Sequence, residues 1–493
     1  MRVAGVLMPL SSLPSKHGVG DMGTYGYEFI KLLKEARISI WQVLPLNPLG
    51  YGNSPYQPYS SFAGDEIYIS LDKLYENGLL DKKADLFNEE SSKIEYKLVR
   101  EFKEKYLKIA YNNFINKKMD LNDEEYKTFI KQKWLKQYGL YLTLKKKNKL
   151  LSWNEWPKEE QNYIFKEESS WDKYLNEIKY EIFIQYIFYK QWMDLKEFAN
   201  DNEIKIMGDI PFYVGVDSLD VWANQENFLL DENGNPSFVA GVPPDFFSET
   251  GQRWGNPIYD WDQLERDGYR FWIDRMAYNA KLFDLLRIDH FRAFDTYWSI
   301  PAESETAVIG EWLEAPGYDV LSAIFNGVSG IKVVVEDLGE LRPEVLDLRD
   351  YFNLTGMSIA QFNFRPEIEE HDFLEEKNII IYTGTHDNQT STGWFESQSK
   401  DVQEAALDKL EALGYDETIF VNKYMHYTLD SAAKIVILPI QDILELGDEA
   451  RINSPGTLGS PNWEWKLVDF ELTKGKIQYL KELTYLSKRA KKD

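Results

Sequence analysis

The segment Leu286-Arg287-Ile288-Asp289-His290-Phe291-Arg292 sets a guanidinium two residues ahead of a carboxylate. On an extended strand, residues two apart face the same side, so Arg287 and Asp289 point together. A neighbouring positive charge keeps an aspartate ionised at neutral pH. An ionised, fixed aspartate is what attack on the anomeric carbon of a glycoside needs. A purely structural Arg–Asp pair fits these residues equally well.

Two further segments carry matching chemistry. In Val333-Val334-Val335-Glu336-Asp337-Leu338-Gly339, a glutamate follows three β-branched residues, where a buried strand gives way to an open end. Partial desolvation there raises a carboxyl pKa, which suits a general acid; the plain alternative is a solvated strand end. Tyr382-Thr383-Gly384-Thr385-His386-Asp387-Asn388 crowds His, Asp and Asn behind a glycine. Two of the five histidines, His290 and His386, therefore stand beside candidate carboxylates. As neutral imidazoles they could bond sugar hydroxyls. No tight metal-ligand pattern such as His-Glu-x-x-His occurs, so no metal is expected. Asp231, Asn233 and Asn235 imitate a calcium loop, but Pro236 occupies its obligatory glycine position and Val242 its bidentate glutamate. Two carboxylates about 5–5.5 Å apart across a glycosidic bond would define a retaining mechanism.

Such groups need a scaffold that gathers strand ends. Short runs rich in Val, Ile and Leu occur at 3–10, 40–46, 204–212, 285–291, 332–338, 357–362, 378–383 and 433–440. They lack polar alternation, as strands buried on both faces do. Helical spacing marks 25–36, 269–281 and 343–352, with Pro343 suited to a helix start. Eight strands with helical connections predict an α/β fold, a (β/α)8 TIM barrel, whose chemistry sits at the C-terminal strand ends. The whole chain, 1–493, reads as one catalytic barrel. A helical insertion is expected over 72–203, between the second and third strands, since no Pro/Gly/Ser-rich linker borders it. A loop insertion arching over the active site is expected over 214–259, with a turn at Glu232-Asn233-Gly234-Asn235.

Composition narrows the class. The 493 residues include 56 basic and 81 acidic side chains, a formal charge of −25, which argues against nucleic acid. Aromatics reach 15%, enough for sugar-stacking faces as well as for an ordinary core. The chain has no cysteine, which excludes disulfides and Cys-ligated metals. Met1-Arg2-Val3-Ala4-Gly5-Val6-Leu7 enters a core-like strand without a cleavable signal ahead of it. No apolar run approaches the roughly 20 residues that cross a bilayer. A cytoplasmic chain with no membrane partner is expected.

The order Arg-x-Asp, Glu, His-Asp on strands four, five and seven resembles the α-amylase clan. Within it the chain is similar to the amylomaltase or disproportionating-enzyme family, glycoside hydrolase family 77. The similarity runs from Ser11-Ser12-Leu13-Pro14-Ser15 through Trp41-Gln42-Val43-Leu44-Pro45-Leu46 and Ser54-Pro55-Tyr56-Gln57 to Asn453-Ser454-Pro455-Gly456-Thr457 and Asn462-Trp463. Its most specific stretch runs from Val239-Ala240-Gly241-Val242-Pro243-Pro244 to Gly251-Gln252-Arg253-Trp254-Gly255-Asn256-Pro257. That stretch resembles the family's loop over the active site, where Phe246, Phe247 and Trp254 would offer faces to sugars. Three departures stand out: Ala293 for Gly, Asp65-Glu66 for Asn-Pro, and Ser460-Pro461 before Asn462.

The resemblance implies Asp289 as nucleophile, Glu336 as acid/base and Asp387 as transition-state stabiliser. It also implies substrate contacts from Ser54, Tyr56, Asp209, Trp254, Arg287, His290, His386 and Asn462. The implied activity is 4-α-glucan transfer by double displacement, without a cofactor, on maltooligosaccharides and glycogen- or starch-type glucans. No C-terminal β-sandwich is expected. An α-1,4-glucan hydrolase with the same carboxylates and a non-catalytic glucan-binding protein are the rival readings.

Overall fold

A computed structural model of the chain describes residues 2–117, 124–244, 248–364 and 375–490. Eight parallel strands form its centre: Val3–Leu7, Ile40–Gln42, Lys205–Ile210, Leu285–Ile288, Val333–Val335, Gly356–Ile359, Ile379–Tyr382 and Ile435–Pro439. Neighbours pair in chain order, and the eighth pairs with the first. A parallel bridge between Val334 and Thr355, with the Val335 amide donating to the Thr355 carbonyl at 2.9 Å, closes the ring between the fifth and sixth. The fold is a (β/α)8 barrel.

Seven of the apolar runs contain their strands and the sixth strand begins one residue ahead of its run, at Gly356; every strand is shorter than its run. The end of the sixth run leaves the sheet as a short helix, Ala360–Asn363. Helices Thr24–Glu35, Arg270–Leu282 and Pro343–Tyr351 occupy the three periodic stretches, the last with its proline in the first turn.

Alternation explains both the core and the site. Leu7, Ile40, Met207, Val334, Met357, Ile380, Tyr382, Ile435 and Ile437 pack together inside the ring. Their strand neighbours, among them Ala4, Val6, Ile206, Leu286, Val335, Ile381 and Val436, face the helices. Asp209, Arg287, Asp289 and Glu336 continue the inward series at even spacing from Met207, Leu285 and Val334. Gly5 occupies an inward position for want of space: a Cβ there would lie 2.3 Å from Ile437 Cδ1 and 2.9 Å from Ile40 Cβ.

Between the second and third strands lie, among the described residues, six α-helices, Leu71–Glu76, Tyr96–Lys117, Glu124–Phe129, Lys133–Lys147, Lys158–Gln161 and Leu175–Asp201. Rings of Phe114, Tyr126, Phe129, Phe183 and Tyr186 pack among them. Two glutamines stitch the longest helix to the loop from the second strand. Gln185 exchanges both amide bonds with Gly64 (2.8 and 2.9 Å), and Gln191 does so with Ser70 (2.7 and 3.2 Å). Trp192 on the same helix donates to the Leu282 carbonyl at 3.0 Å beside the fourth strand.

A second sheet corrects the reading of 214–259 as loops alone. Gln252–Pro257, Phe238–Val242, Thr296–Pro301 and Glu311–Glu314 pair antiparallel in that order. Its glycines and prolines suggest loops, yet Gly241 is needed by close strand approach, since a Cβ would meet the Gln252 carbonyl at 2.1 Å. The expected turn is present, with Asp231 Oδ1 accepting from the Asn233 and Asn235 amides (2.8 and 2.9 Å).

Replacing Gly5 by Ala overfills the barrel interior. The Gly5→Ala variant is expected to lose about 1–3 kcal/mol of stability, read as a lower urea midpoint at unchanged slope.

Candidate active site

The cleft at the C-terminal strand ends has a volume of about 370 Å³. Among the side chains lining it are Ser54, Tyr56, Tyr213, Trp254, Asp289, His290, Glu336, His386, Asp387, Asn453 and Trp463. Beneath them lies Arg287, the cross-strand partner of Asp209. Arg287 Nη1 lies 2.8 and 2.7 Å from the two Asp209 oxygens and 2.9 Å from Asp289 Oδ1. Its Nη2 stands 3.7 Å from Glu336 Oε2. Tyr56, from the loop after the second strand, donates its hydroxyl to Asp209 Oδ2 at 2.8 Å. The expected Arg287–Asp289 pair is therefore real, and it is one part of a larger buried cluster.

The electrostatics separate the two carboxylates. Burial alone would lower the Arg287 pKa; Asp209 and Asp289 hold it well above its ordinary value. Burial, then the Asp289 charge, raises Glu336 to about 8, against the pull of Arg287 and of the His290 amide, which donates to Glu336 Oε2 at 2.6 Å. Asp289 is also raised by burial, with Arg287 opposing. Because the guanidinium lies closer to Asp289 than to Glu336, Glu336 is the member that keeps a proton at neutral pH. At its strand end His290 adopts φ 53°, and its buried Nε2 has no hydrogen-bond partner among the described residues. Burial, assisted by Arg292, lowers its pKa to about 3, so the ring is neutral.

Asp387 is the most exposed of the three acids, at 44% of its side chain against 29% for Asp289 and 20% for Glu336. Asn453 donates to its Oδ1 at 2.6 Å, and His386 Nε2 lies 3.5 Å from its Oδ2. Arg451 fixes the Asp387 backbone by donating to its carbonyl at 2.7 Å. His386 stacks on Tyr56, with centroids 5.1 Å apart and planes 14° apart, and Trp463 packs against both. Across the cleft, Trp254 meets His290 edge to face at 4.8 Å, and Gln57 donates to the Trp254 carbonyl at 2.9 Å. The loop bearing Tyr56 and the strand bearing Trp254 are thus tied together.

Of two further expected contacts, one lines the cleft and the other does not. Ser54 lines the cleft and its hydroxyl accepts from the Tyr56 amide at 3.3 Å. Asn462 faces a neighbouring turn: its Oδ1 accepts from the Ser454 amide at 2.9 Å and its Nδ2 donates to Thr457 Oγ1 at 2.8 Å. Phe246 and Phe247 lie outside the described residues. Tyr213 lines the cleft without having been singled out by the sequence, and Gln252, Asn256 and Asn453 entered only as parts of motifs. No motif marks Asn453 as a partner of Asp387, 66 residues away. Among the described residues, no group of three His, Cys, Asp or Glu side chains is placed to hold a metal ion, and no helix is long and apolar enough to cross a membrane.

Known proteins resemble this chain over nearly its whole length. The sequence model of glycoside hydrolase family 77, described as 4-alpha-glucanotransferase, matches residues 8–471. A 4-alpha-glucanotransferase of Thermus thermophilus is 41% identical over 485 residues, covering 96% of each chain. One of Clostridium butyricum is 42% identical over 480 residues, covering 94% of this chain and 96% of that one. The solved structure of the Streptococcus agalactiae amylomaltase in complex with acarbose superposes with a TM-score of 0.92, at 32% identity and full coverage of both chains. With a match of that extent, the chain belongs to glycoside hydrolase family 77, the 4-alpha-glucanotransferases.

Proposed function

We propose that this enzyme transfers α-1,4-glucan segments between maltooligosaccharides or starch- and glycogen-type chains by a retaining double displacement on Asp289 and Glu336. The observation that carries the proposal is the single guanidinium of Arg287, 2.9 Å from Asp289 and 3.7 Å from Glu336, the carboxyl that burial raises to about 8. Glu336 delivers its proton to the glycosidic oxygen as Asp289 attacks C1, and the C1–O bond breaks. The freed chain leaves with that proton. The 4-hydroxyl of an acceptor then gives its proton to ionised Glu336 and attacks C1, displacing Asp289 and restoring the α-linkage. Asp387, held by Asn453, bonds hydroxyls of the distorted ring. The neutral ring of His290 can bond a hydroxyl without adding charge.

Transfer requires that a sugar outcompete water at ~55 M, and effective molarities of about 10⁵ M for oriented groups are enough to do so. Trp254, braced by His290 and tied through Gln57 to the Tyr56 loop, supplies an ordered face for the acceptor.

With maltotriose alone, total reducing ends should stay nearly constant while glucose and longer oligosaccharides accumulate. In Trp254→Ala, transfer should fall more than hydrolysis, read as a rising ratio of new reducing ends to longer products. A ratio equal to that of the unchanged enzyme would release Trp254 from this role, and reducing ends that rise in step with substrate loss would mark a hydrolase.

Asp289→Asn should lose on the order of 10⁴ or more in turnover, and mass spectrometry of protein quenched with a glycosyl fluoride should find no glycosyl adduct. Near-normal turnover would remove Asp289 from the nucleophile's role.

Glu336 acts first as an acid, so kcat/KM on maltotriose should fall as pH rises through about 8. Glu336→Gln should cripple natural glucans yet still load from a glycosyl fluoride, whose leaving group needs no proton, and that loading should lack the alkaline limb. The folded state also binds this proton more tightly than the unfolded chain. The associated stability is present at low pH and is lost as pH rises through about 8, so Glu336→Gln should raise the thermal midpoint more at pH 9 than at pH 6. Equal failure of both donors with binding intact would exclude Glu336 as the acid.

A further inference from the structure

The loop from the second barrel strand carries Ser54, Tyr56 and Gln57 into the cleft, and its two ends are joined at Asp65. The Asp65 amide donates to the Leu46 carbonyl at 2.9 Å, and its carboxylate accepts from the Leu49 amide at 3.0 Å and the Ile67 amide at 3.1 Å. This carboxylate is wholly buried, and its charge is met from outside the barrel. Arg100, on helix Tyr96–Lys117, forks onto it, with Nη1 2.8 Å from Oδ1 and Nη2 2.7 Å from Oδ2; Nη1 also lies 2.6 Å from Glu66 Oε1. Asp65 and Glu66 are the pair that departs from the Asn-Pro commoner in the family.

We propose that Arg100 is a positioning residue for the reaction, resting on the mechanism above: by closing the base of this loop it fixes where the Tyr56 hydroxyl meets Asp209. The chain of contact is continuous. Arg100 holds Asp65, and Asp65 holds Leu49. Leu49 bridges to Pro58, and the Tyr59 amide donates to the Pro48 carbonyl at 2.9 Å, so the loop between them is a closed unit. Tyr56 near its tip donates to Asp209 Oδ2, and Asp209 shares Arg287 Nη1 with the nucleophile. A loop whose base loosens carries Tyr56 away from Asp209. Arg287 then has one carboxylate less firmly satisfied beneath it, and the position of Asp289 shifts with it. Misplacement of a reacting group by about 1 Å can cost up to about 100-fold in rate, so a clamp remote from the chemistry can still govern it.

Arg100 is open enough to alter without collapsing the fold. Its side chain is 30% exposed and borders a cavity of about 940 Å³, so water can reach Asp65 when the guanidinium is gone.

The test is a double-mutant cycle on kcat/KM with maltotriose, normalised to active sites counted by glycosyl fluoride loading. Arg100→Gln is expected to lower kcat/KM about 10-fold, and Tyr56→Phe by at least as much. If Arg100 acts through Tyr56, the double variant is no slower than Tyr56→Phe alone within about twofold. Losses that multiply would overturn the proposal, as would an Arg100→Gln enzyme of lower melting temperature but unchanged kcat/KM per active site. Should Arg100→Gln not fold, Asp65→Asn opens the same clamp from its other side, and its cycle with Tyr56→Phe is read by the same two outcomes. Failure of the mechanism itself is seen separately, as persistent turnover in Asp289→Asn.

Discussion

The active site depends on one buried cation. Arg287 is 6% exposed and touches Asp209 and Asp289, with Glu336 within ion-pair distance. Moving carboxylates of this number out of water is costly, and removing one partner of a buried ion pair typically costs about 3–5 kcal/mol. Without the guanidinium the cleft would hold acids repelling one another, and each would take up a proton instead of dividing the roles. Asp209, fully buried, is the fixed counterion. Its second partner, the Tyr56 hydroxyl, occupies a remaining lone pair and ties the barrel interior to the loop above.

The barrel supplies this cluster by register. Asp209 and Arg287 are neighbours on adjacent strands, and Arg287 in turn stands beside Val334. Two residues further along, Asp289 and Glu336 emerge on the same inward face, beyond the apolar layers. Below them, Met207, Val334, Ile380 and Ile437 fill the ring with apolar side chains. A slip of one residue in the fourth strand would turn Arg287 and Asp289 out toward the helices and bring Leu286 and Ile288 inside. Hydrophobic burial of those alternate residues therefore fixes the catalytic geometry as firmly as any polar contact does.

What could be read from the sequence follows the same logic. The eight strands and Arg287, Asp289 and Glu336 were legible because apolar runs mark buried strands, and period two assigns each polar end residue to a face. Contacts made by chain segments far apart were not. Asn453 reaches Asp387 from beyond the eighth strand, Tyr213 comes from just past the third, and Gln252 begins a strand of the outer sheet. Two strands of the outer sheet were read as loops because Gly241, Gly251 and Gly255 look like breakers, whereas Gly251 gives the connection between them its positive φ and Gly255 carries one within the strand Gln252–Pro257. Asn462 was placed by motif at the substrate, and its amide proves to hold the turn from Ser454 to Thr457.

The division of labour between the two acids comes from position and not from residue type. Asp and Glu differ little in intrinsic acidity, about 3.9 against 4.3. Arg287 could favour either, but both Asp209 oxygens hold its Nη1, and Nη1 is the nitrogen that meets Asp289. The guanidinium cannot swing toward Glu336 without leaving its buried counterion. Glu336 is left with burial, a nearby negative charge and the single amide of His290, and so it keeps its proton. In the proposed double displacement, Asp289 loses its charge as it bonds to C1, and the repulsion that held the proton on Glu336 falls away. Glu336 is then more stable as a carboxylate, ready to accept the acceptor's proton. Under that mechanism, the same electrostatic coupling that makes Glu336 an acid in the first step makes it a base in the second.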